Sequence, residues 1–396
     1  MGTGDGGRGA RPGNGLLIAA IVLLGFQLRS PLVALAPIAS AAQAGWDVNS
    51  TAFGLLTSVP VLCFGLATPL ALFLQRRVGL EAAIVVCLGG IVAATVLRSI
   101  DGFGVALAAV VLLGLSITIG NVLVPTIIRR DVPRRRRPAA TSAYSVSVNV
   151  GTWLTALGTV PLSVVFGWRV AAAAWSVAGV ATGVVWIVLL QRARSAPQPV
   201  LMRPPRYRPD RLAILLSLGF ACQGFCYYGV TTWLPTLLAD ERGYSAAVAG
   251  TASSVFQIAG IAGAIGVPLL TLRFSSRTVL AIIGLLWISL PVGLLVAPEH
   301  FVLFAILGGA GQGGGFAAIF TIIAEVGGDL QRTTALSAFV QTIGYIVASV
   351  APPVVGAVHQ LTGAWTGPMV VVLVATVGFL VLNLSAATIA GRRAPG

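Results

Sequence analysis

Leu16-Leu-Ile-Ala-Ala-Ile-Val-Leu-Leu-Gly-Phe-Gln-Leu-Arg-Ser-Pro-Leu-Val-Ala-Leu-Ala-Pro-Ile38 is an apolar run with a single charge near its centre. At 1.5 Å per residue from Gly15, Arg29 stands about 21 Å along a helix, near the middle of a ~30 Å hydrocarbon slab. A guanidinium at that depth costs at least ~2.5–3.5 kcal/mol, and its stem is too short to bring it back to water. Such a group is expected to face an internal cavity, where it pairs with or awaits an anion. Arg29 is therefore a functional-site candidate before any other residue is considered.

The rest of the chain has the same character. Of 396 residues, 57% are hydrophobic and only 9% charged, with a mean hydropathy of +0.94. Apolar stretches of spanning length recur from end to end, so the expectation is an all-α polytopic membrane protein. A β-barrel would show short alternating segments instead. The net charge of +14 comes from arginine alone, since lysine is absent. These arginines cluster in connectors between apolar runs, which marks them as topology determinants and argues against nucleic acid as a partner. Cys63, Cys87, Cys222 and Cys226 lie inside apolar runs without metal or redox spacing and read as small buried hydrophobes. The first apolar run lacks a cleavage site and is read as a retained helix, not a signal peptide.

Twelve spans are expected, at about 15–40, 51–74, 80–98, 103–128, 139–165, 168–191, 211–238, 246–271, 277–296, 300–324, 333–358 and 366–390. The organisation that follows is a tail (1–14), a six-helix bundle (15–191), a polar linker (192–210), a second bundle (211–390) and a short tail (391–396). With both termini cytoplasmic, 21 arginines fall on the cytoplasmic side. Arg98, Arg169 and Arg242 fall outside, and Arg29 alone falls within the membrane. The halves look duplicated. Leu113-Gly114 with Gly120 matches Leu307-Gly308 with Gly314, Thr57-Ser58-Val59 matches Ser253-Ser254-Val255, and Gly151 matches Gly344. Duplicated bundles place a substrate site between the halves at mid-depth.

All eleven acidic residues are expected at helix ends, in connectors or in the tail, so the simplest intramembrane proton relay is missing. His300 and His359 fall at helix ends, and no cofactor, metal or catalytic residue set is evident. Uncharged polar groups do fall at mid-depth. They are Gln27, Thr118, Asn121, Tyr144 and Asn149 in the first half, and Gln223, Tyr227, Tyr228, Thr231, Gln257, Gln312, Gln341 and Tyr345 in the second. They concentrate on spans 1, 4, 5, 7, 8, 10 and 11, which leaves spans 3, 6, 9 and 12 as lipid-facing supports. Pro31 and Pro125 cannot donate to the carbonyls of Gln27 and Asn121, so each leaves a free acceptor beside a polar side chain. The glycines clustered from Gly308 to Gly315 read as a close-packing surface.

Several strings carry a resemblance. They are Gly54-Leu-Leu-Thr-Ser-Val-Pro-Val-Leu-Cys-Phe-Gly65, Gly120-Asn-Val-Leu-Val-Pro125 through Arg130-Asp131-Val132-Pro133, and Gly167-Trp168-Arg169. To these are added Thr232-Trp233-Leu234-Pro235, Gly311-Gln312-Gly313-Gly314, and Ala335-Leu-Ser-Ala through Gln341-Thr-Ile-Gly-Tyr345. With them the chain resembles the major facilitator superfamily, and within it the cyanate/nitroimidazole transporter-like branch. It departs from that branch at Gln27-Leu28-Arg29-Ser30-Pro31, where the branch usually reads Asn-Leu-Arg-Pro. The superfamily loop signature between helices 2 and 3 is reduced to Arg76-Arg77-Val78-Gly79, without its Asp. The helix 5 antiporter signature is not evident.

The resemblance implies a secondary transporter in the bacterial inner membrane, a carrier and not an enzyme. It would act as a monomer on a small anionic or planar polar solute by alternating access. Arg29 would hold the cargo, with the polar residues above as donors and walls. Pro31, Pro125, Arg130, Asp131, Trp168, Arg169 and Trp233 would serve gating or structure. A multidrug or metabolite efflux pump of the same superfamily is the alternative.

Overall fold

The computed structural model describes residues 14–100, 102–133, 136–193, 208–327 and 330–393. Most of the predicted N-terminal tail, the interior of the linker, and the end of the C-terminal tail lie outside them. So do Asp5, Arg8, Arg11, Asp101, Arg134, Arg135, Arg194, Arg203, Arg206 and Asp329. Among the described residues eleven helices are long and apolar enough to cross a membrane, or twelve when one bent pair is taken as a single span.

Span 1 departs from the expected single helix. It is built from Asn14–Gln27, a short turn Ser30–Val33, a 3-10 turn Ala36–Ile38 and a last helix Ala39–Trp46. The cause is local. Pro31 and Pro37 lack the N–H groups that would bond the carbonyls of Gln27 and Val33. The backbone responds with tighter bonds, from Leu32 N to Arg29 O at 3.0 Å and from Ile38 N to Leu35 O at 3.2 Å. The Ser30 hydroxyl donates to the Phe26 carbonyl at 2.7 Å. Arg29 is thus carried on a broken turn, not on the middle of a rod.

Span 2 consists of Ser50–Leu66 and Thr68–Val78, bent by 64° where Pro69 opens the second piece. Spans 3, 4 and 5 are Leu80–Leu97, Phe103–Asp131 and Arg137–Phe166. Pro125 leaves span 4 unbroken, contrary to its twin at position 31. Span 6 is Trp168–Ala174 with Ser176–Ala193. Spans 7 to 10 are Arg211–Arg242, Ala246–Thr271, Ser276–Val296 and Phe301–Gly327. Span 11 is Leu330–Ala348 with Ala351–Thr362, and span 12 is Thr366–Arg393. Side-chain caps set several starts: Asn49, Asp210, Ser245 and Ser275 each accept from the backbone N–H three residues on. Gly79 (φ 89°) and Gly167 (φ 81°) make single-residue turns between spans 2 and 3 and between spans 5 and 6.

The two halves pack in the same way. Gly151 lies against Phe26 of span 1, and Gly344 lies against Phe220 of span 7. Gly114 lies against Pro60 and Cys63 of span 2, and Gly309 lies against Phe256 and Ala259 of span 8. The partner of Gly114 in the second half is therefore Gly309, not Gly308 as the sequence match suggests. Gly308 faces Leu290 of span 9. In a glycine-dense string, side-chain identity cannot fix the register to one residue.

The halves close on each other at the arginine-poor end. Gly54 approaches the backbone of Pro352 and Pro353, within 2.7 Å of where a Cβ would stand. Thr51 donates to Gln360 at 3.0 Å, and Phe53 meets Trp233 at 6.0 Å between ring centroids. Gly250 of span 8 packs on Val160 and Pro37. Toward the arginine-rich end a groove of about 520 Å³ opens beside Leu66, Pro69, Phe73, Arg76 and Thr342.

This closure predicts the effect of a bulkier residue at position 54. Gly54→Val should leave folded yield unchanged, because all the atoms it strikes belong to the other half. Overpacking costs about 1–3 kcal/mol, enough to move a two-state equilibrium roughly tenfold or more. A cysteine replacing buried Ala36, in a cysteine-free background, should then react faster with a membrane-impermeant maleimide added at the arginine-poor face. Unchanged labelling would show that this contact does not govern the closure.

Candidate functional site

Arg29 lies between the halves. Its Nη1 donates to the hydroxyl of Tyr228, 199 residues away on span 7, at 2.7 Å. The guanidinium carbon stands 5.6 Å from the ring centre of Phe64 and 5.8 Å from that of Tyr228. Tyr227, Tyr345 and Tyr144 are close enough to interact with it electrostatically. Arg29 is partly buried and keeps some accessible surface. Among the described residues no carboxylate pairs with it. Aromatic faces and a neutral phenol stabilise the cation without cancelling its charge, and the remaining donors of its planar fork are suited to a carboxylate-like or planar acceptor.

The aromatic wall is held from behind. Tyr228 is 2% exposed and packs edge-on against Tyr227 at 5.0 Å. Tyr345 packs edge-on against Phe64 at 5.5 Å and Phe220 at 5.2 Å. Tyr144 of span 5 reaches Asn121 of span 4 at 3.4 Å.

The other polar residues divide. Beside Gly260, Gln312 Oε1 and Asn149 Oδ1 converge from opposite halves, 2.8 and 3.9 Å from a Cβ built there. Gln341 bonds Ser337 on its own helix at 3.0 Å. Gln257 donates to Thr231 at 3.0 Å on the arginine-poor side of the centre. There, with Thr152 and Ser253, they line a cavity of about 10 Å³, room for one water. Gln223 is fully engaged inside the second half, since its Nε2 donates to the Gln312 carbonyl at 2.6 Å and its Oε1 accepts from Trp287 at 2.8 Å. Gln27 has 0% exposure, and among the described residues its amide has no hydrogen-bond partner. It points at Gly179 of span 6, away from the side that Arg29 faces.

Of the residues expected to serve gating or structure, Pro31 lies in the broken turn beside Arg29, and Arg130, Asp131, Trp168, Arg169 and Trp233 lie toward the ends. At the arginine-rich end Arg130 bonds both Asp131 (2.7 Å) and Glu81. The two carboxylates offset the cost of burying its charge. Glu81 is the acid sequence reading missed. The superfamily's loop Asp is absent here, and a carboxylate two residues past Gly79 reaches Arg130. At the other end Arg169 stacks on Trp168 at 4.6 Å, and Trp168 meets Trp46 edge-on at 4.7 Å. Trp233 donates to the Pro352 carbonyl at 2.8 Å, tying span 7 to the break in span 11.

Arg98 corrects the arginine census. Sequence position puts it in a connector, but it is 1% exposed. From the end of span 3 its stem turns inward, and its Nη1 donates to the carbonyl of Pro31. Arg29 is therefore not the only arginine withdrawn from water.

Known proteins fit this architecture. Residues 15–298 and 237–393 match the Major Facilitator Superfamily. The chain is 28% identical over 381 residues to the 2-nitroimidazole transporter of Escherichia coli, covering 94% of this chain and 95% of that one. It is 23% identical over 372 residues to the cyanate transport protein CynX of the same organism, covering 93% and 96%. Among solved structures, a bacterial homologue of the human lysosomal transporter Spinster, inward-facing and occupied, superposes with a TM-score of 0.76 at 18% identity, covering 97% and 98%.

Proposed function

This chain belongs to the Major Facilitator Superfamily, and on that premise we propose that it carries a small anionic or planar polar solute, of the cyanate or nitroimidazole kind, with Arg29 as the anchor. It is a multi-pass membrane transporter and not an enzyme. The observation that carries the reading is the Arg29 guanidinium between the halves, ringed by Tyr228, Tyr227, Tyr345, Tyr144 and Phe64, with no neutralising carboxylate among the described residues. A cavity built for lipophilic cations would place a carboxylate there; a positive centre selects the opposite charge.

In this reading the cargo displaces the Tyr228 hydroxyl from Arg29 and receives the fork. Asn121, Tyr144 and Asn149 bound it from the first half, and Tyr227, Gln312, Gln341 and Tyr345 from the second. Gln223 and Gln257 hold the helices around it, and Gln27 packs beside Gly179 of span 6. The closure at Gly54, Phe53 and Trp233 is one of the two gates, and the Glu81–Arg130–Asp131 cluster steadies the opposite end. The arginine-rich end faces the cytoplasm of a bacterial inner membrane, the bundles are residues 15–191 and 211–390, and one chain forms the whole pathway.

Thermal unfolding of purified protein against cyanate, nitrite, small carboxylates and neutral nitroimidazoles tests this. A ligand at 100 times its Kd adds about 2.7 kcal/mol of stability. One or more of these solutes should raise Tm in wild type and leave Tm unchanged in Arg29→Ala. Equal stabilisation of both proteins would remove Arg29 from the binding site.

A further inference from the structure

We propose that Arg98 is a positioning residue: it clamps the broken turn of span 1 and so sets where Arg29 stands. Four observations carry this. Pro31 and Pro37 leave the segment between Gln27 and Ile38 without a continuous helical ladder. Arg98 Nη1 donates to the Pro31 carbonyl, two residues from Arg29, from a different span. The side chain is 1% exposed, and among the described residues no carboxylate pairs with it. Its neighbours Thr95 and Ser99 turn their hydroxyls to carbonyls of their own helix, so they compete for neither arginine nor turn.

A buried cation without an acid partner is costly to keep, and here its hydrogen bond goes to an acceptor that exists because the helix is interrupted. An apolar side chain would fill the same space at lower cost but would leave the turn untied. Among the described residues Arg98 Nε and Nη2 have no partner in this arrangement. The fork thus has donors in reserve for a different arrangement of the same turn, such as the one span 1 adopts when the halves rock. The effect on cargo rests on the reading of Arg29 as anchor, whereas the clamp itself does not.

The test compares full-length wild type with Arg98→Gln, which keeps an N–H donor without the charge, and Arg98→Met, which keeps bulk alone. Hydrogen exchange of the amides between Leu32 and Ile38 should accelerate roughly tenfold or more in Arg98→Met, less in Arg98→Gln, with spans 7–12 unchanged. Binding of cyanate and 2-nitroimidazole, read by calorimetry, should weaken in the same order, by about tenfold or more for Arg98→Met. A packing role alone would lower Tm in both variants without ranking affinity by donor. Should Arg98→Met fail to fold, the Arg98→Gln measurements decide: wild-type exchange and wild-type affinity would overturn the proposal. If neither solute binds wild type, the reading of the cargo fails, and the exchange data alone decide Arg98. Identical protection of Leu32 to Ile38 in all three proteins would overturn it.

Discussion

Arg29→Ala should abolish saturable transport while the protein reaches the membrane at close to the wild-type level. The expectation follows from what each side chain does for the fold. Removing the guanidinium frees the Tyr228 hydroxyl, a neutral group packed beside Tyr227, so no buried charge is left unpaired. For the cargo the loss is larger. Removing one partner of a desolvated charge pair costs about 2–5 kcal/mol, a fall in affinity of roughly 30-fold to several thousandfold. Arg29→Lys is the sharper variant. It keeps the charge but replaces a planar fork with a point donor on a flexible stem. It should also transport poorly, by at least about tenfold in kcat/KM. Uptake of labelled solute into vesicles, normalised to immunoblot, measures both. Normal kinetics in Arg29→Lys would mean that charge alone attracts the cargo.

Gly263→Val should act oppositely, destroying the fold before any question of cargo arises. Gly260 of span 8 meets Gly309 and Gly313 of span 10 backbone to backbone, and Gly263 meets Ala310 and Gly314 in the same way. A Cβ on Gly263 would overlap the Ala310 carbonyl oxygen, and one on Gly313 would overlap that of Gly260. Small residues four apart allow such an approach, and nothing at the crossing can move aside except the helices themselves. Overpacking costs of about 3 kcal/mol or more are expected, against total stabilities of roughly 5–15 kcal/mol. Folded yield in detergent should drop severalfold and size-exclusion profiles should broaden. Gly266→Val, three residues on at a glycine whose Cβ would meet nothing, serves as control. A monodisperse Gly263→Val protein with wild-type Tm would show that the two helices are free to separate.

The span count, the arginine at the centre and the twofold repeat were all legible in the sequence, because hydropathy and charge placement act over windows of twenty residues. Finer features were not. The breaks at Leu28–Arg29 and in span 2 depend on whether neighbours can satisfy the carbonyls that proline frees. Pro31 breaks its helix and Pro125 does not, and nothing in the two strings distinguishes them. Gln27 and Arg29 are adjacent polar residues in sequence, but the turn between them sends one toward span 6 and the other toward span 7. Arg98 looked like an ordinary helix-end arginine because a long stem can turn either way, and its direction is set by an acceptor 67 residues earlier. Glu81 was visible only as an acid at a helix start, since its partner Arg130 is 49 residues away.

The neutral phenol opposite Arg29 has an electrical consequence. With no carboxylate among the described residues around it, Arg29 carries an uncompensated positive charge in the empty carrier, and on the reading proposed above a bound monoanion would cancel it. Voltage would then act more strongly on the reorientation of the empty protein than on that of the loaded one. The field is worth up to about 2.3 kcal/mol per charge at 100 mV, so in an energised cell the membrane potential would set how quickly the vacant site returns for its next cargo.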